Sequence, residues 1–472
     1  EVAVTGVRHD SREIEPGDLF AARKGTRDDG FRHLGQAVAR GAAAVMAEEK
    51  TALGVPLVVV RDVQHALADA SALVYGDPTG ALDVVGITGT NGKTTTAHLV
   101  AAALRKAGKR PGVIGTIGYQ FEDVVAPATH TTPEADAIAR IAAAMRERGA
   151  SHLVMEISSH AIALGRVAAV RFRVAAFTNL TQDHLDFHGD MASYGEAKAK
   201  LFTELSPAAA VINVDDPFGR ALAGRAKAPV LRVSSEKGGD ADIAPIAIES
   251  DVGRTRATLR TPAQPVVIDA PLLGAHNLSN MIVALGICSA LGVDLAVAAS
   301  AFSDVAVPGR LERCDEAEDD VVVVVDYAHT PDALERALTT LRELAGARRL
   351  VCIFGCGGDR DPQKRAPMGR AVARLADVAV VTNDNPRSES PKVIADAVLG
   401  GLGTARAVVV ELDRARAIAD TIRGVQSGDV ILIAGKGHET YQIIGDQKTP
   451  FDDRQHARLA LAARRKAHAG DA

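Results

Sequence analysis

Apolar residues along this chain fall into short unbroken blocks, separated by longer stretches where they recur every three or four positions. The first pattern suits strands buried on both faces and the second suits amphipathic helices, so their alternation predicts parallel sheets covered by helices. Within residues 1–83, strand blocks at 43–47 and 56–60 alternate with helical patterns at 33–40 and 63–75, and turns are marked by Pro16-Gly17-Asp18 and Gly76-Asp77-Pro78. A second series has strand blocks at 83–88, 113–115, 153–157, 174–177 and 209–214, with helical patterns at 94–106, 134–148 and 194–205. Short strands between about 240 and 270 read as a hairpin insertion, and an Ala/Leu-rich helix follows at 277–291. A third series places buried strands at 321–325, 350–354, 378–381, 408–410 and 430–433, each followed by a helical pattern, which is the signature of a doubly wound sheet. The charged stretch 312–320 reads as a connector. The expected fold is therefore α/β in three domains, 1–83, 84–310 and 311–472, a division the 472-residue length also suggests.

Composition narrows the class. Hydrophobic residues are 47% and charged residues 24%, ordinary for a globular enzyme with ample core material. A net charge of -5 leaves no basic footprint for nucleic acid, and the absence of Trp removes the best stacking platform for single strands. Cys288, Cys314, Cys352 and Cys356 fit neither a zinc spacing nor a disulfide framework, so a reducing, cytoplasmic compartment is expected. The run from Val321 to Val325 is too short to span a bilayer, and no signal peptide opens the chain, so no membrane insertion is expected. The chain starts at Glu1 without a methionine, as a trimmed N-terminus would.

The sharpest local signal is Gly89-Thr90-Asn91-Gly92-Lys93-Thr94-Thr95, between a predicted strand and a predicted helix. Glycines admit phosphate oxygens close to backbone N–H groups, and the helix start favours anions. In that setting Lys93 reaches the β/γ-phosphates of a nucleotide and the Thr94 hydroxyl binds Mg²⁺. A Gly-rich turn with a solvated lysine is the plain alternative, and the strand-loop-helix context speaks against it. The loop is short: position 87, where the generic phosphate loop has glycine, is Ile87. That departure weakens a motor-ATPase or GTPase-switch reading.

Four further strings follow in order: Thr131-Thr132-Pro133, Met155-Glu156-Ile157-Ser158-Ser159-His160, Thr178-Asn179-Leu180-Thr181-Gln182-Asp183-His184, and Tyr194-Gly195-Glu196-Ala197-Lys198. Later matches are His276-Asn277, Gly309-Arg310, Asp326-Tyr327-Ala328-His329-Thr330-Pro331 and Gly435-Lys436-Gly437-His438-Glu439. Together these resemble the Mur ligases, which build the peptide stem of peptidoglycan, and among them the branch that adds the third residue. The resemblance spans nearly the whole chain. It implies a small uridine-binding α/β domain, a central phosphate-loop ATPase domain and a C-terminal Rossmann-like domain for the incoming amino acid. The implied chemistry is ATP-dependent activation of a carboxylate as an acyl phosphate, followed by attack of an amine.

By that resemblance Glu156 and His184 bind Mg²⁺, although a His ligand is unusual for so hard a cation. Lys198 matches a lysine that is carbamylated, which turns a repelling cation into a carboxylate-like group beside the metal. Asn277, Arg310, Asp326 and His329 match nucleotide contacts, and Ser11, Thr131, Thr132, Ser158 and Arg166 match residues that hold the UDP-N-acetylmuramoyl-dipeptide. Some relatives carry glutamine where this chain has Leu164, so that contact is absent here.

The amino acid added depends on Asp384-Asn385-Pro386-Arg387, which resembles the signature of members that add meso-diaminopimelate. Diaminopimelate differs from lysine by a carboxylate at its far end, and Arg387 offers that charge a bidentate partner. Arg360 matches a second carboxylate-binding arginine, while Gly435 and Glu439 match positions that receive the distal head group. Three readings stay in play: the diaminopimelate-adding ligase, acting as a monomer in the cytoplasm; a sibling adding L-lysine, or a folylpolyglutamate synthetase; and a non-catalytic phosphate-loop switch. The Asp-Asn-Pro-Arg string argues against the second, and the joint presence of Glu156, His184 and Lys198 argues against the third.

Overall fold

The computed structural model describes residues 2–25, 28–128, 130–250, 254–305, 307–403 and 405–470. The chain divides into two compact units. The first holds 1–248, 256–270 and 276–305, and the second holds 249–255, 271–275 and 306–472.

In the first unit β1 (Gly6–Arg8), β2 (Asp18–Ala21), β3 (Ala44–Ala47) and β4 (Leu57–Val59) form a parallel sheet in that order. A larger sheet contains β5 (Asp83–Thr88), β6 (Pro111–Gly115), β7 (Gly118–Phe121), β8 (Val124–Ala126), β9 (His152–Glu156), β10 (Phe172–Phe177), β11 (Ala209–Asn213) and β12 (Val230–Val233). Its order is β12-β11-β10-β5-β9-β6-β7-β8. The strands from β12 to β6 are parallel, whereas β6, β7 and β8 form an antiparallel meander. Its first strand, β6, was expected at 113–115, whereas β7 and β8 were not: β7 reads Gly-Tyr-Gln-Phe and β8 is three residues long, so neither forms a clear apolar block. The expected hairpin insertion is a three-stranded sheet of β13 (Ala244–Ser250), β14 (Thr255–Arg260) and β15 (Val266–Ala270), with residues 251–253 of that stretch outside the described ones.

The second unit holds β16 (Glu312–Arg313), β17 (Val322–Asp326), β18 (Leu350–Phe354), β19 (Val378–Val381), β20 (Val408–Val410) and β21 (Val430–Ala434), in the order β16-β17-β21-β18-β19-β20. A hairpin of β22 (Tyr441–Ile444) and β23 (Gln447–Pro450) follows. The continuous apolar blocks have a direct cause. Successive side chains of a strand point to opposite faces, and here both faces are covered. Val323, Val325, Ile353 and Ile433 enter one core while Val324, Cys352, Phe354 and Leu432 enter the other.

Two expectations are corrected. The 408–410 block is not buried: β20 is the sheet edge, and Val408, Val409 and Val410 are exposed. The 312–320 stretch is not purely a connector, since Glu312 and Arg313 pair antiparallel with Val325 and Val324. Among the described residues no helix is long and apolar enough to cross a membrane.

Candidate active site

In the first unit the central strand β5 is flanked by β9 on one side and β10 on the other. Chain order reverses there, which opens a crevice at the carboxyl ends of the strands. The loops after β5, β9 and β10 therefore meet. Gly89 and Gly92 adopt φ of +149° and +86°, and a Cβ on them would collide with Thr178 Oγ1 and Asn280 Oδ1 respectively. The loop after β10 holds this turn in place. Asn179 O accepts from Thr90 N at 2.8 Å, Asn179 Oδ1 from Asn91 N at 2.9 Å, and Thr178 Oγ1 donates to Asn91 O at 2.6 Å. Thr90 Oγ1 lies 3.2 Å from the Tyr194 hydroxyl. The helix Lys93–Lys106 starts at Gly92 with no side-chain cap, so its first-turn N–H groups form an anion cradle. Its first residue, Lys93, folds back so that Nζ donates to Gly89 O and Thr90 O at 2.9 Å each. Thr95 is buried one residue after Thr94.

Glu156, the last residue of β9, is a buried hub. Its Oε2 accepts from Thr94 Oγ1 at 2.8 Å and Thr116 Oγ1 at 3.1 Å, and its Oε1 accepts from Thr116 N at 2.8 Å. A carboxylate ringed by hydroxyls is the hard oxygen set that Mg²⁺ prefers. Among the described residues no group of three or more His, Cys, Asp or Glu could hold a metal. Mg²⁺ does not require such a cage, since it commonly uses one or two protein ligands together with water and substrate phosphates. The residues present fit that ion.

Lys198 lies on the helix Met191–Thr203 and is 1% exposed. Its Nζ donates to Gly89 O at 2.9 Å and sits 4.4 Å from the Tyr194 ring centre, and no ion pair among the described residues holds it. Burial, and then the nearby Lys93 charge, push its pKa well below the usual lysine range, with Asp183 opposing. His184 does not sit at the end of β10 itself. It adopts φ +53° further along the loop, ahead of the short helix Leu185–His188. Its ring lies edge-on to His160 at 4.8 Å, and burial lowers its pKa. Burial, then His184 and His188, take His160 down to about 4, so these imidazoles are neutral at pH 7.

Thr132 links this hub to the peptide-side residues. Its hydroxyl donates to Glu156 O at 2.8 Å and accepts from Ser158 N at 3.0 Å, while the Thr131 and Thr116 hydroxyls are 3.1 Å apart. Arg166 Nη1 donates to Thr132 O at 3.0 Å, and its Nη2 pairs with Glu134 at 2.8 Å. Glu134 also takes Arg23, which follows β2, at 3.0 Å. Beside them lies a cavity of about 930 Å³, lined by Arg166, Leu164, Glu134, Arg23 and His9. Ser11 stands apart. It is buried near β1, and its hydroxyl donates to Gln36 Oε1 at 2.8 Å. Asn277 is buried on the helix Ala275–Ala290, its Oδ1 accepting from Asn280 at 3.2 Å.

In the second unit the loops after β17, β18, β19 and β21 emerge at one sheet edge. Asp326 ends β17 and accepts from Leu311 N at 2.7 Å and Ala328 N at 2.8 Å; burial raises its pKa. Arg310 lies over the Tyr327 ring at 4.7 Å. His329 Nδ1 is 2.8 Å from Tyr327 O, and burial lowers its pKa.

The loop after β19 carries Asp384, Asn385, Pro386 and Arg387. Asn385 Nδ2 donates to Glu439 Oε2 at 2.9 Å, and Lys436 Nζ donates to both Asn385 Oδ1 and Glu439 Oε2 at 3.1 Å. Gly435 has φ +118°, and a Cβ there would press on Asp384 Oδ2 at 2.7 Å. Arg387 adopts φ +52°, fixed by Arg387 N to Ile443 O at 3.1 Å and Gly445 N to Arg387 O at 2.8 Å. Its Nη1 donates to Gly358 O at 2.7 Å. Arg360 is exposed on the loop after β18. Beneath these loops Arg414 and Asp453, both fully buried, pair at 2.6 Å, and Arg414 also donates to Asn383 O and Ala434 O.

Sequence reasoning missed Thr116, Tyr194 and Lys436 as participants. The last two lay inside strings already singled out, whereas Thr116 carried no signal of its own. It also missed the Arg414–Asp453 pair, whose partners are far apart in sequence.

Three family models match the chain: "Mur ligase family, catalytic domain" at residues 3–75, "Mur ligase middle domain" at 87–288, and "Mur ligase, glutamate ligase domain" at 309–437. A UDP-N-acetylmuramoyl-L-alanyl-D-glutamate–2,6-diaminopimelate ligase of Gloeobacter violaceus is 46% identical over 98% of this chain and 95% of its own length. The enzyme of that name from Streptomyces coelicolor is 45% identical over 97% of this chain and 92% of its own. A solved structure of a ligase of that name superposes with TM-score 0.71 at 32% identity, covering 98% of this chain and 95% of the other.

Proposed function

The chain belongs to the Mur ligase family, and on that premise we propose that it is the ATP-dependent ligase that adds meso-diaminopimelate to UDP-N-acetylmuramoyl-L-alanyl-D-glutamate, a step in peptidoglycan precursor synthesis. A carboxylate is a poor electrophile. The γ-phosphoryl group of ATP therefore passes to the acceptor carboxylate of the dipeptide, leaving ADP and an acyl phosphate. The amine of diaminopimelate attacks the acyl carbon, phosphate departs, and an amide remains. Several anions must be brought together, so positioned donors and cations carry most of the catalysis.

In this reading residues 1–83 take the uridine end, with Ser11 as a contact, 84–310 take ATP, and 311–472 take the amino acid. The cradle of Gly89, Thr90, Asn91, Gly92, Thr94 and Thr95 binds the nucleotide phosphates. Lys93, which folds onto two carbonyls, turns to the transferred phosphoryl group. Asn277, Arg310, Asp326 and His329 serve the rest of the nucleotide. Thr94, Glu156, His184 and carbamylated Lys198 would hold Mg²⁺, which supplies charge neutralisation when bound. The depressed pKa of Lys198 favours the neutral amine, whose nitrogen adds to CO₂ with loss of a proton to give the carbamate. Thr131, Thr132, Ser158 and Arg166 orient the dipeptide. Each chain carries the whole residue set, so a monomer suffices, and the cytoplasm supplies both ATP and the nucleotide-linked precursor.

The observation that carries the choice of amino acid is Arg387. Its backbone is held in a left-handed conformation and Nη1 is spent on Gly358 O, yet among the described residues no acceptor engages its Nη2. That cation suits the distal carboxylate of diaminopimelate, while Glu439, Asp384 and Asn385 suit its ammonium. Lysine offers no carboxylate there and would leave the guanidinium unpaired. The test mixes protein, ATP, Mg²⁺ and the UDP-linked dipeptide with either amino acid and follows phosphate release. Release with meso-diaminopimelate and little with L-lysine is expected; equal rates would refute the assignment.

A further inference from the structure

The loops that carry Arg360 and Arg387 are laced together by backbone bonds, by Arg387 itself, and by Asp359, Arg365, Ser388 and Glu389, which have no role in the scheme above. Gly358 N donates to Asn385 O at 2.9 Å, and Arg387 returns a bond to Gly358 O. Ser388 Oγ donates to Asp359 Oδ1 at 2.7 Å and Ser388 N to Asp359 Oδ2 at 3.2 Å. The centre of the lacing is Glu389. Its Oε1 accepts from Asp359 N at 2.6 Å, and Arg365 Nη2 donates to both of its oxygens at 2.8 Å. Arg365 is buried at the start of the helix Arg365–Leu375, so the anchor is rigid. The geometry leaves little slack. Asp359 is itself left-handed, at φ +52°, and a Cβ on Gly358 would collide with Pro386 O.

We propose that Glu389, anchored by Arg365, is a positioning residue that fixes the spacing between Arg360 and Arg387 and so sets the selectivity of the amino-acid site. The inference rests on the amino-acid assignment made above. Glu389 touches no substrate in this scheme. It neutralises Arg365 and uses its carboxylate to hold the Asp359 peptide, which orients the Arg360 loop against the Arg387 loop. Two carboxylate-binding groups discriminate only if both reach their targets at once, and a misplacement of about 1 Å can cost on the order of 100-fold.

The test is steady-state kinetics of Glu389→Ala and Glu389→Gln in the full chain. For Glu389→Ala the KM for meso-diaminopimelate should rise by about tenfold or more, with the KM values for ATP and the UDP-linked dipeptide unchanged and the preference over L-lysine narrowed. Glu389→Gln keeps an acceptor for Asp359 N and should recover part of the loss. Ser388→Ala, which removes one lacing bond without burying a charge, should give a smaller rise of the same kind, so an insoluble Glu389→Ala protein leaves the proposal falsifiable. A diaminopimelate KM unmoved in Ser388→Ala and Glu389→Gln would overturn it, as would all three KM values rising together. If the wild-type protein itself showed no preference for diaminopimelate, the amino-acid assignment would fail instead.

Discussion

Asp453→Ala gives the most exposed test of how the second unit is held together. Asp453 and Arg414 are both 0% exposed. Asp453 Oδ1 and Oδ2 accept from Arg414 Nε at 2.7 Å and Nη2 at 2.6 Å. Burial opposes the Arg414 charge, yet Asp453 outweighs that opposition and the guanidinium pKa is raised. Removing the carboxylate strands a fully buried cation with only the Asn383 and Ala434 carbonyls as partners. Breaking such a pair from one side costs roughly 3–5 kcal/mol, against a total stability of about 5–15 kcal/mol for a typical domain. Replacing both partners at once, Arg414→Met with Asp453→Leu, removes the stranded charge and should cost much less. The assay is guanidinium unfolding followed by far-UV circular dichroism, with hydrogen exchange read over β19 and β21. Those strands should lose protection first, because Arg414 ties the chain at the last residue of β21 and just after the end of β19. A loss below about 1 kcal/mol for Asp453→Ala, or a double variant as damaged as the single one, would refute the reasoning.

Other outcomes follow from the sites described. Arg387→Ala should raise the diaminopimelate KM by about 10- to 100-fold, the loss of one or two charge-assisted hydrogen bonds, with ATP affinity unchanged; isothermal titration of each ligand checks this. Gly92→Val should abolish nucleotide binding without unfolding the protein, since its Cβ would meet Asn280; binding of a fluorescent ATP analogue reads the effect. Lys198→Ala should lower turnover by at least about 100-fold, with partial rescue by a short carboxylic acid such as acetate, measured as phosphate release. The His9–Asp136 pair, at 2.8 Å, predicts a pH window. Burial lowers the His9 pKa, but Asp136 overrides it and the net shift is upward; the same contact overrides burial to hold Asp136 below the ordinary carboxylate range. The pair therefore stabilises between those two pKa values, fading as pH rises through that of His9 or falls through that of Asp136. His9→Gln should lower Tm at pH 6 and match the wild type at pH 9.

The parallel strands were legible because burial on both faces writes a continuous apolar block, as at β17, β18 and β21. The edge strand β20 was misread for the same reason: Val408, Val409 and Val410 form an apolar block that the fold leaves exposed. β16 was hidden because its two residues are charged. At the candidate site, Gly89, Gly92, Lys93 and Thr94 were legible from local order alone, and the strings around Glu156, His184 and Arg387 were legible through resemblance. What sequence did not carry was pairing across distance. Thr116 meets Glu156 in the first unit, and Arg365 meets Glu389 and Arg414 meets Asp453 in the second, only because each sheet gathers segments distant in sequence.

The choice of amino acid is decided by offering the protein equal concentrations of meso-diaminopimelate and L-lysine with ATP, Mg²⁺ and UDP-N-acetylmuramoyl-L-alanyl-D-glutamate, and weighing the product by mass spectrometry. A UDP-linked tripeptide carrying diaminopimelate should exceed the lysine product by about 100-fold or more, since lysine leaves the half-buried Arg387 guanidinium without its carboxylate partner. A product dominated by lysine, or an even mixture, would contradict it.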